Sequence, residues 1–344
     1  MTEIKLIPGG VCAAQGFTGS GIHCGIRKNR TKRDLALILS SVPASAAAVY
    51  TTNLVKGAPL EVTKKHLADG KARAVICNSG NANTCNADGI EIAEQTCELL
   101  AKELGIAADD VIVASTGVIG QRMSIEPFKA GIPELCKALG GDSHAVAEAI
   151  MTTDTRLKEA AVEFTVGGKT CRLGGIAKGS GMIHPNMATM LVFITTDCAI
   201  SPEMLQKALS SDIQNTFNMI SVDGDTSTND MVAVMANGLA GNAEISAEGA
   251  SPVFYTSFTQ AWDALQPNRS DQVTVTLLKP RYDLGETDLY VQSNNIRLDL
   301  NSNVMFGTGK IVVSGAQAVF TVENGDMNEI TVEAADGTVT VGED

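Results

Sequence analysis

The feature that most limits the fold of this chain is a change in the spacing of its apolar residues near residue 249. Before that point, strand-like apolar runs alternate with segments of helical periodicity, such as residues 90–104, which end at Gly105. After it, apolar residues recur at every second position in several short runs. A period of 3.6 residues buries one helix face, whereas a period of two buries one strand face. The spacing therefore predicts a mixed α and β part, residues 1–248, followed by a β-rich part, residues 249–344.

Composition changes at the same place. Residues 249–344 carry 5 basic and 13 acidic side chains and neither histidine nor cysteine, whereas all eight cysteines lie before residue 199. Asn324-Gly325 and Asp336-Gly337 each stand between two alternating runs, which is typical of a hairpin turn. No tandem repeat is visible in the sequence. We therefore expect an all-β tail with antiparallel hairpins at these two turns.

The net charge of the chain argues against nucleic acid and anionic membranes as partners. Its 26 Lys and Arg stand against 39 Asp and Glu, a net charge of −13. A field of this sign repels nucleic-acid phosphates and anionic lipid, which leaves small polar substrates as the expected ligands. No apolar stretch reaches the ~18 residues of a membrane span, and the first ten residues lack the charged-then-apolar order of a secretory signal. We expect a cytoplasmic protein.

The segment with the most chemical content runs from Lys178 to Thr189 and continues into an apolar strand. A glycine-rich, proline-containing turn leads into that strand, and Thr189 follows the small Ala188 at the junction. A threonine hydroxyl in such a turn can attack its own preceding peptide bond, which cuts the chain and gives Thr189 a free α-amine. An α-amine has a pKa of about 7.7–8.0 and can serve as base for the same hydroxyl. Taken alone, the pattern favours an ordinary threonine at the start of a strand.

The order of several motifs resembles that of the ornithine acetyltransferase (glutamate N-acetyltransferase) family. The resemblance covers residues 1–248, and the characteristic segments of the family are absent from residues 249–344. The shared motifs are Gly9-Gly10-Val11, Asn78–Asn83, Ala114–Gly120, Met151–Thr155, the segment from Lys178 through Thr189 and Phe217–Asp230.

The resemblance implies a fold and a reaction. The fold is an α+β layered αββα sandwich of the N-terminal-nucleophile type, cut by the chain itself between Ala188 and Thr189. Thr189 would then accept acetyl from N2-acetylornithine as an ester and pass it to glutamate, an acyltransferase step of arginine biosynthesis. Two half-reactions through one covalent intermediate replace a single slower step.

The resemblance also implies roles for other residues. Thr116 and Gly117 match the oxyanion pair of the family, and at the end of an apolar strand their hydroxyl and N–H can face a developing negative oxygen. Lys178 matches a substrate contact and can pair with an α-carboxylate as a compact cation. Thr152 matches a second substrate contact, although the neighbouring Thr153 and Thr155 leave the choice of hydroxyl open.

Cofactors and partners follow from the same resemblance. The implied mechanism requires neither a metal nor an organic cofactor, and no residue pattern decides whether acetyl-CoA is a further donor, which would add an amino-acid N-acetyltransferase activity. The expected partners are small amino-acid substrates, N-acetylornithine and glutamate, with no nucleic acid and no membrane. Family members assemble from α and β chains, so an α/β hetero-oligomer is expected after self-cleavage.

Other interpretations compete with this one. Cys85 could act as a thiol nucleophile, although no histidine near it in sequence would activate it. The segment Asp223–Asp230 fits the first positions of a calcium loop, but Thr228 and Val234 replace the required glycine and glutamate, so a hydrogen-bonded turn that supports the active site fits better. The whole chain could also be a catalytically silent remnant fused to a β-rich interaction module, or an amidase or aminopeptidase that releases its acyl group to water.

Overall fold

Two compact units divide the chain, residues 1–247 and residues 248–344. No helix within the described residues is both long and apolar enough to cross a membrane. The computed structural model describes residues 4–29, 31–182, 190–246, 262, 272–277, 281–286, 288–292, 295–314, 318–335 and 337–341.

The first unit combines helices with a mixed sheet. Its α-helices are α1 (Ala58–His66), α2 (Gly89–Leu104), α3 (Glu126–Lys137), α4 (Ser143–Ile150) and α5 (Pro202–Asp212). Short 3₁₀ turns cover Leu67–Asp69, Ala108–Asp110, Ile213–Asn215 and Phe217–Met219. Its strands are β1 (Lys5–Ile7), β2 (Phe17–Ile22), β3 (Leu35–Tyr50), β4 (Lys71–Asn81), β5 (Val111–Val118), β6 (Lys158–Val166), β7 (Lys169–Lys178), β8 (Leu191–Thr196) and β9 (Met231–Ala236).

The helix end predicted at Gly105 is confirmed, and helix α5 shows the local interactions of a helix start. Helix α2 ends at Gly105, whose φ of +67° lets its N–H bond back to the Ala101 carbonyl. Helix α5 begins with Pro202 in its first turn, and the Ser201 hydroxyl caps it by accepting a hydrogen bond from the Met204 N–H.

Strand β3 connects the two halves of the sheet. The strand order is β1-β6-β7-β8-β9-β3-β4-β5, and β2 pairs with the first half of β3. The register between β3 and β4 shifts between Leu39 and Ala44, a stretch that contains Pro43. Because proline cannot donate to a ladder, it is tolerated at such an irregularity. The second half of β3 then pairs with β9.

Alternation along the strands sorts side chains into layers. Leu37 belongs to a core with helices α1–α3, and the next residue, Ile38, belongs to a central core between the two halves of the sheet. On the other half, Phe193 joins the central core and Val192 joins a third core with α5. Successive strand residues point to opposite faces, so each half packs against helices on its outer side and against the central core, which also includes residues of α4, on its inner side. The predicted α+β layered αββα sandwich is confirmed.

The second unit is β-rich, as the alternating apolar positions predict. All the strand pairs that the structure describes here are parallel, and paired residues lie 19 to 24 positions apart in the chain. The chain therefore winds as a solenoid whose successive coils stack. Its strands are β10 (Gln272–Thr276), β11 (Arg281–Gly285), β12 (Leu289–Gln292), β13 (Asn295–Gly307), β14 (Lys310–Ser314), β15 (Val319–Asn328), β16 (Thr331–Ala334) and β17 (Thr338–Val341).

The prediction of antiparallel hairpins is wrong. Asn324-Gly325 lies inside β15, and the strands on either side of Gly337 belong to different sheets; Asp336 itself lies outside the described residues. Gly325 serves another purpose, because a Cβ there would come within 2.5 Å of the Asn303 carbonyl oxygen on the adjacent coil. Close approach of stacked backbones selects this glycine, and the unequal coil lengths explain why no tandem repeat is visible.

Candidate active site

The ends of several strands of the first unit meet at one open cleft of about 940 Å³. Thr116 and Gly117 reach it from the end of β5, Lys178 from the end of β7, Asp230 from the residue before β9, and Thr152 from the loop after α4. Four residues that the sequence analysis assigns to one site, Thr116, Gly117, Thr152 and Lys178, therefore line the same cleft.

The backbone at Gly117 is specific for glycine. Strand β5 runs parallel to β4 with Gly117 opposite Gly80, and the register shifts at the next position. Gly117 has a φ of +134°, and a Cβ on it would lie 2.3 Å from the Gly80 carbonyl carbon. A side chain at position 117 would therefore force β4 and β5 apart where both enter the cleft.

Lys178 forms a direct link to Thr116. Its Nζ atom donates a hydrogen bond to Thr116 Oγ1 over 3.2 Å. Burial lowers the pKa of Lys178, while the carboxylates of Asp154 and Asp230 oppose that decrease. The cleft thus holds a partly buried amine beside the hydroxyl of the predicted oxyanion pair.

Asp154 holds the loop that carries Thr152. Its fully buried side chain accepts hydrogen bonds from the backbone N–H groups of Thr152 and Gly179, over 3.2 and 2.8 Å, and from Lys158 Nζ over 2.5 Å. Burial raises the pKa of Asp154, but these hydrogen bonds, with Lys158 first among them, bring it below its ordinary value. One carboxylate therefore joins the loop at residue 152 to the chain just after Lys178.

The segment from Asp223 to Asp230 is a hydrogen-bonded turn. Asp223 Oδ2 accepts a hydrogen bond from the Met182 N–H over 2.6 Å, which anchors the end of the glycine-rich segment. The Asn229 side chain donates to the carbonyls of Ala82, just after β4, and Ser115, within β5, and so joins this turn to both places. Among the residues that the structure describes, no group of three or more His, Cys, Asp or Glu side chains could hold a metal ion.

Asp230 is the most unusual ionisable group of the cleft. It is 4% exposed, and its Oδ2 atom has no hydrogen-bond partner among the described residues. Burial raises the pKa of Asp230 to about 7, although hydrogen bonds from Ser227 and the charge of Lys178 act in the opposite direction. Burial therefore favours the uncharged forms of both Asp230 and Lys178.

Some predicted site residues fall elsewhere. Ala188 and Thr189, the predicted cleavage site, lie outside the described residues. The chain re-enters the described part at Met190, and strand β8, which lies between β7 and β9, begins at the next residue. Cys85 is exposed in the segment between β4 and α2 and is not among the residues that line the cleft.

Asp154 and Asp230 were not predicted as residues of the site. Both stand in motifs that carried the resemblance, Met151–Thr155 and Phe217–Asp230. Aspartate among threonines and asparagines is typical of an exposed turn, so the residue type alone does not indicate that these two carboxyls are buried. Only the register of strands β7, β8 and β9 brings Lys178 and Asp230 to the same edge of the sheet.

Comparisons with known proteins agree with this architecture. The family model "ArgJ family" matches residues 18–271. The arginine biosynthesis bifunctional protein ArgJ of Geobacillus kaustophilus is 53% identical over 240 residues, which are 69% of this chain and 58% of that protein. The protein of the same name from Bacillus subtilis is 50% identical over 242 residues, or 70% of this chain and 59% of that protein.

A solved structure extends the comparison. The crystal structure of ArgJ from Bacillus halodurans superposes with a TM-score of 0.52 at 42% sequence identity and covers 55% of this chain and 100% of that chain. This chain spans less than two thirds of the length of the curated relatives named above. The family model nevertheless covers well over half of its residues, and the chain therefore belongs to the ArgJ family.

Proposed function

We propose that this chain is a self-processing acyltransferase of arginine biosynthesis that moves acetyl from N2-acetylornithine to glutamate. The observation that carries the proposal is the convergence of Thr116, Gly117, Thr152 and Lys178 on one cleft. Relatives about 50% identical are named arginine biosynthesis bifunctional protein, which supports the pathway.

The roles of the residues follow from their chemistry. Thr189, once cleavage at the Ala188–Thr189 bond has freed its α-amine, attacks the acetyl carbonyl with that amine as base. The Thr116 hydroxyl and the Gly117 N–H stabilise the oxyanion that forms. Lys178 and Thr152 orient the donor and acceptor amino acids.

Strand register supports this assignment. Lys178 on β7 lies opposite Leu191 on β8, and Leu191 lies opposite Met231 on β9. Leu191 follows Thr189 by two residues in the chain. The segment that contains the proposed nucleophile therefore leads directly into a strand whose two neighbours both supply residues to the cleft.

Intact-mass analysis tests self-processing. The purified chain of 35.9 kDa should resolve into fragments 1–188 and 189–344, while Thr189→Ala should remain in one piece. Thr189→Ser keeps a hydroxyl nucleophile and should still cleave. If wild type and Thr189→Ala both remain uncut after prolonged storage, the proposed mechanism has no base and the chain fits the silent remnant instead.

Product analysis tests the transfer. Acetylornithine incubated with glutamate should yield N-acetylglutamate and ornithine, and omission of glutamate should leave acetyl bound to the cleaved enzyme. Steady release of acetate without glutamate would identify an amidase-type hydrolase in place of a transferase. Replacing acetylornithine by acetyl-CoA in the same assay determines whether the second donor is used.

A further inference from the structure

Asp230 is a buried carboxyl in the cleft that the roles assigned above do not use. Its side chain is 4% exposed, and it is among the residues that line the cleft. Its Oδ2 atom has no hydrogen-bond partner among the described residues. Burying a carboxylate oxygen without a partner costs several kcal/mol, so such an atom in an open cleft points to a ligand that donates a proton to it.

Hydrogen bonds on both sides hold the backbone at Asp230 in place. The Asp230 carbonyl accepts a hydrogen bond from the Thr51 N–H over 3.0 Å, and the next N–H, of Met231, donates to the Met190 carbonyl over 3.0 Å. The backbone of Asp230 is therefore held on both sides, between β3 and the start of β8. The side chain has little freedom to move toward solvent.

The charged groups around Asp230 come from several elements. Lys178 acts on it from β7, and Lys178 is influenced in turn by Asp154 from the loop after α4, Lys158 from β6 and Cys77 from β4. The hydrogen bond that Lys178 donates goes to Thr116 Oγ1, while Asp154 takes Lys158. An amine and a carboxyl thus face the same cleft without a hydrogen bond between them among the described contacts.

This pair matches the two charged ends of an α-amino acid. A carboxylate oxygen accepts protons only, so the ligand of Asp230 Oδ2 must carry an N–H or O–H group. The acceptor in the proposed reaction arrives as an α-ammonium and can attack only after it has lost a proton. The acetyl donor, in contrast, has its α-nitrogen already acylated and needs no base there.

We propose, on the basis of the proposed function, that Asp230 binds the α-ammonium of the amino-acid acceptor and takes its proton. The ammonium loses two protons during transfer. The first passes to Asp230 Oδ2 and then to water, and the freed nitrogen lone pair attacks the acetyl carbonyl carbon. As the new C–N bond forms and the ester C–O bond breaks, the second proton goes to the departing threonine oxygen.

The acid–base character of Asp230 suits this role. A base works best when its pKa lies near the working pH, and burial raises the pKa of Asp230 to about 7. The protonated carboxyl can therefore return its proton to water between turnovers.

Discharge of the acetyl-enzyme by two amines tests the inference. Full-length wild type and Asp230→Asn are acetylated with acetylornithine, and loss of the acetyl group is followed by intact mass with either glutamate or hydroxylamine. Hydroxylamine is uncharged at neutral pH and needs no base. Asp230→Asn should lose about 100-fold or more in discharge by glutamate and keep its discharge by hydroxylamine, since general bases contribute about 10²–10⁴-fold.

Two controls separate catalysis from folding. Asp225→Asn alters an exposed carboxyl in the same turn and should discharge with both amines as wild type does. Asp230→Ser, which also lacks a base, should repeat the glutamate-specific loss. The wild-type rate with glutamate should rise with pH through about 7, and this inflection should be absent from both Asp230 variants.

The failures are distinguishable. A wild-type chain that never becomes acetylated overturns the proposed function and this inference with it. A wild-type chain that becomes acetylated, combined with normal glutamate discharge by Asp230→Asn, overturns the inference alone. Equal losses with glutamate and hydroxylamine also overturn it, because they would show that Asp230 has a structural role.

Discussion

Lys178 Nζ donates a hydrogen bond to Thr116 Oγ1 across the cleft, over 3.2 Å. A hydroxyl that accepts a hydrogen bond from an ammonium must direct its own proton to another acceptor. Lys178 therefore does more than offer a charge to a substrate carboxylate: it orients the donor that the proposed mechanism places on the oxyanion. Among the hydrogen bonds of the described residues, Lys178 uses one ammonium proton in this contact, and a carboxylate can accept the others.

A double-mutant cycle should reveal this coupling. Lys178→Met removes a charged hydrogen bond and should lower kcat/KM for acetyl-enzyme formation by about 10–150-fold, which corresponds to about 1.5–3 kcal/mol. Thr116→Ala should lower it by about 10²–10³-fold, as loss of one oxyanion donor does. The double variant should lose clearly less than the product of the two single losses, because the shared hydrogen bond is lost only once, and effects that simply multiply would show that the two side chains act independently.

Gly117 should not tolerate a side chain. Gly117→Ala places a Cβ 2.3 Å from the Gly80 carbonyl carbon and should lower the free energy of unfolding by more than about 2 kcal/mol, measured by urea denaturation. Gly120→Ala is the matched control, because Gly120 also has a positive φ, +73°, but open space around its Cβ position. Equal losses in the two variants would contradict the close approach of β4 and β5.

The ion pair between Asp154 and Lys158 should stabilise the fold at neutral pH but not at acid pH. Burial raises the pKa of Asp154, but hydrogen bonds led by that of Lys158 lower it below the ordinary 3.8. A carboxyl whose pKa is lower in the folded state than in the unfolded state stabilises the fold at pH values above its ordinary pKa. This contribution disappears as the pH falls through the folded-state pKa. Asp154→Asn should therefore unfold at lower urea than wild type at neutral pH, by about 3 kcal/mol, and the difference should shrink below about pH 4. A difference that is constant with pH would contradict the prediction.

Asp230 should have the opposite pH dependence. Burial raises the pKa of Asp230 from 3.8 to about 7. The contribution of this carboxyl to the stability of the fold is therefore complete below pH 3.8 and is lost as the pH rises through about 7. At about pH 8, Asp230→Asn should be more stable than wild type, by up to about 4 kcal/mol, and this advantage should vanish near pH 4. Urea titrations of both proteins at the two pH values provide the measurement. Lower stability of the variant at pH 8 would show that the carboxylate has a partner.

The solenoid unit carries its own fluorescent reporter. Trp262, the single tryptophan of the chain, packs edge-on against the fully buried Phe320, with ring centroids 6.3 Å apart. Phe320→Ala should lower the free energy of unfolding of this unit by about 3–5 kcal/mol, followed by Trp262 fluorescence in urea. Tyr290→Ala, on the exposed side of β12, should change it by less than about 0.5 kcal/mol. Similar losses in both variants would contradict the described core.

The order of the motifs predicted which residues share a site, because motifs that lie far apart in the sequence supply residues that contact one another in the fold. Thr116 and Lys178 are 62 positions apart and share a hydrogen bond. Asp154 was missed because its three hydrogen bonds join a loop to a strand end and a neighbouring lysine, and no local pattern encodes such contacts. Spacing along the chain gives no measure of burial, so the unpartnered oxygen of Asp230 could only emerge from packing.

The apolar spacing by itself determined the division into a mixed part and a β-rich part. A helix and a strand that each bury one face repeat their apolar residues with different periods, so the spacing distinguishes them. It could not determine how the β-rich strands pair. Alternation is the same in a hairpin and in a stacked coil, and Asn324-Gly325 suits either a tight turn or the close approach of two backbones. The tertiary structure decided for parallel coils, since stacking buries Phe320 between Ile296 and Val339. Register across strands, which depends on contacts between distant residues, also brought Lys178 and Asp230 to one edge of the sheet.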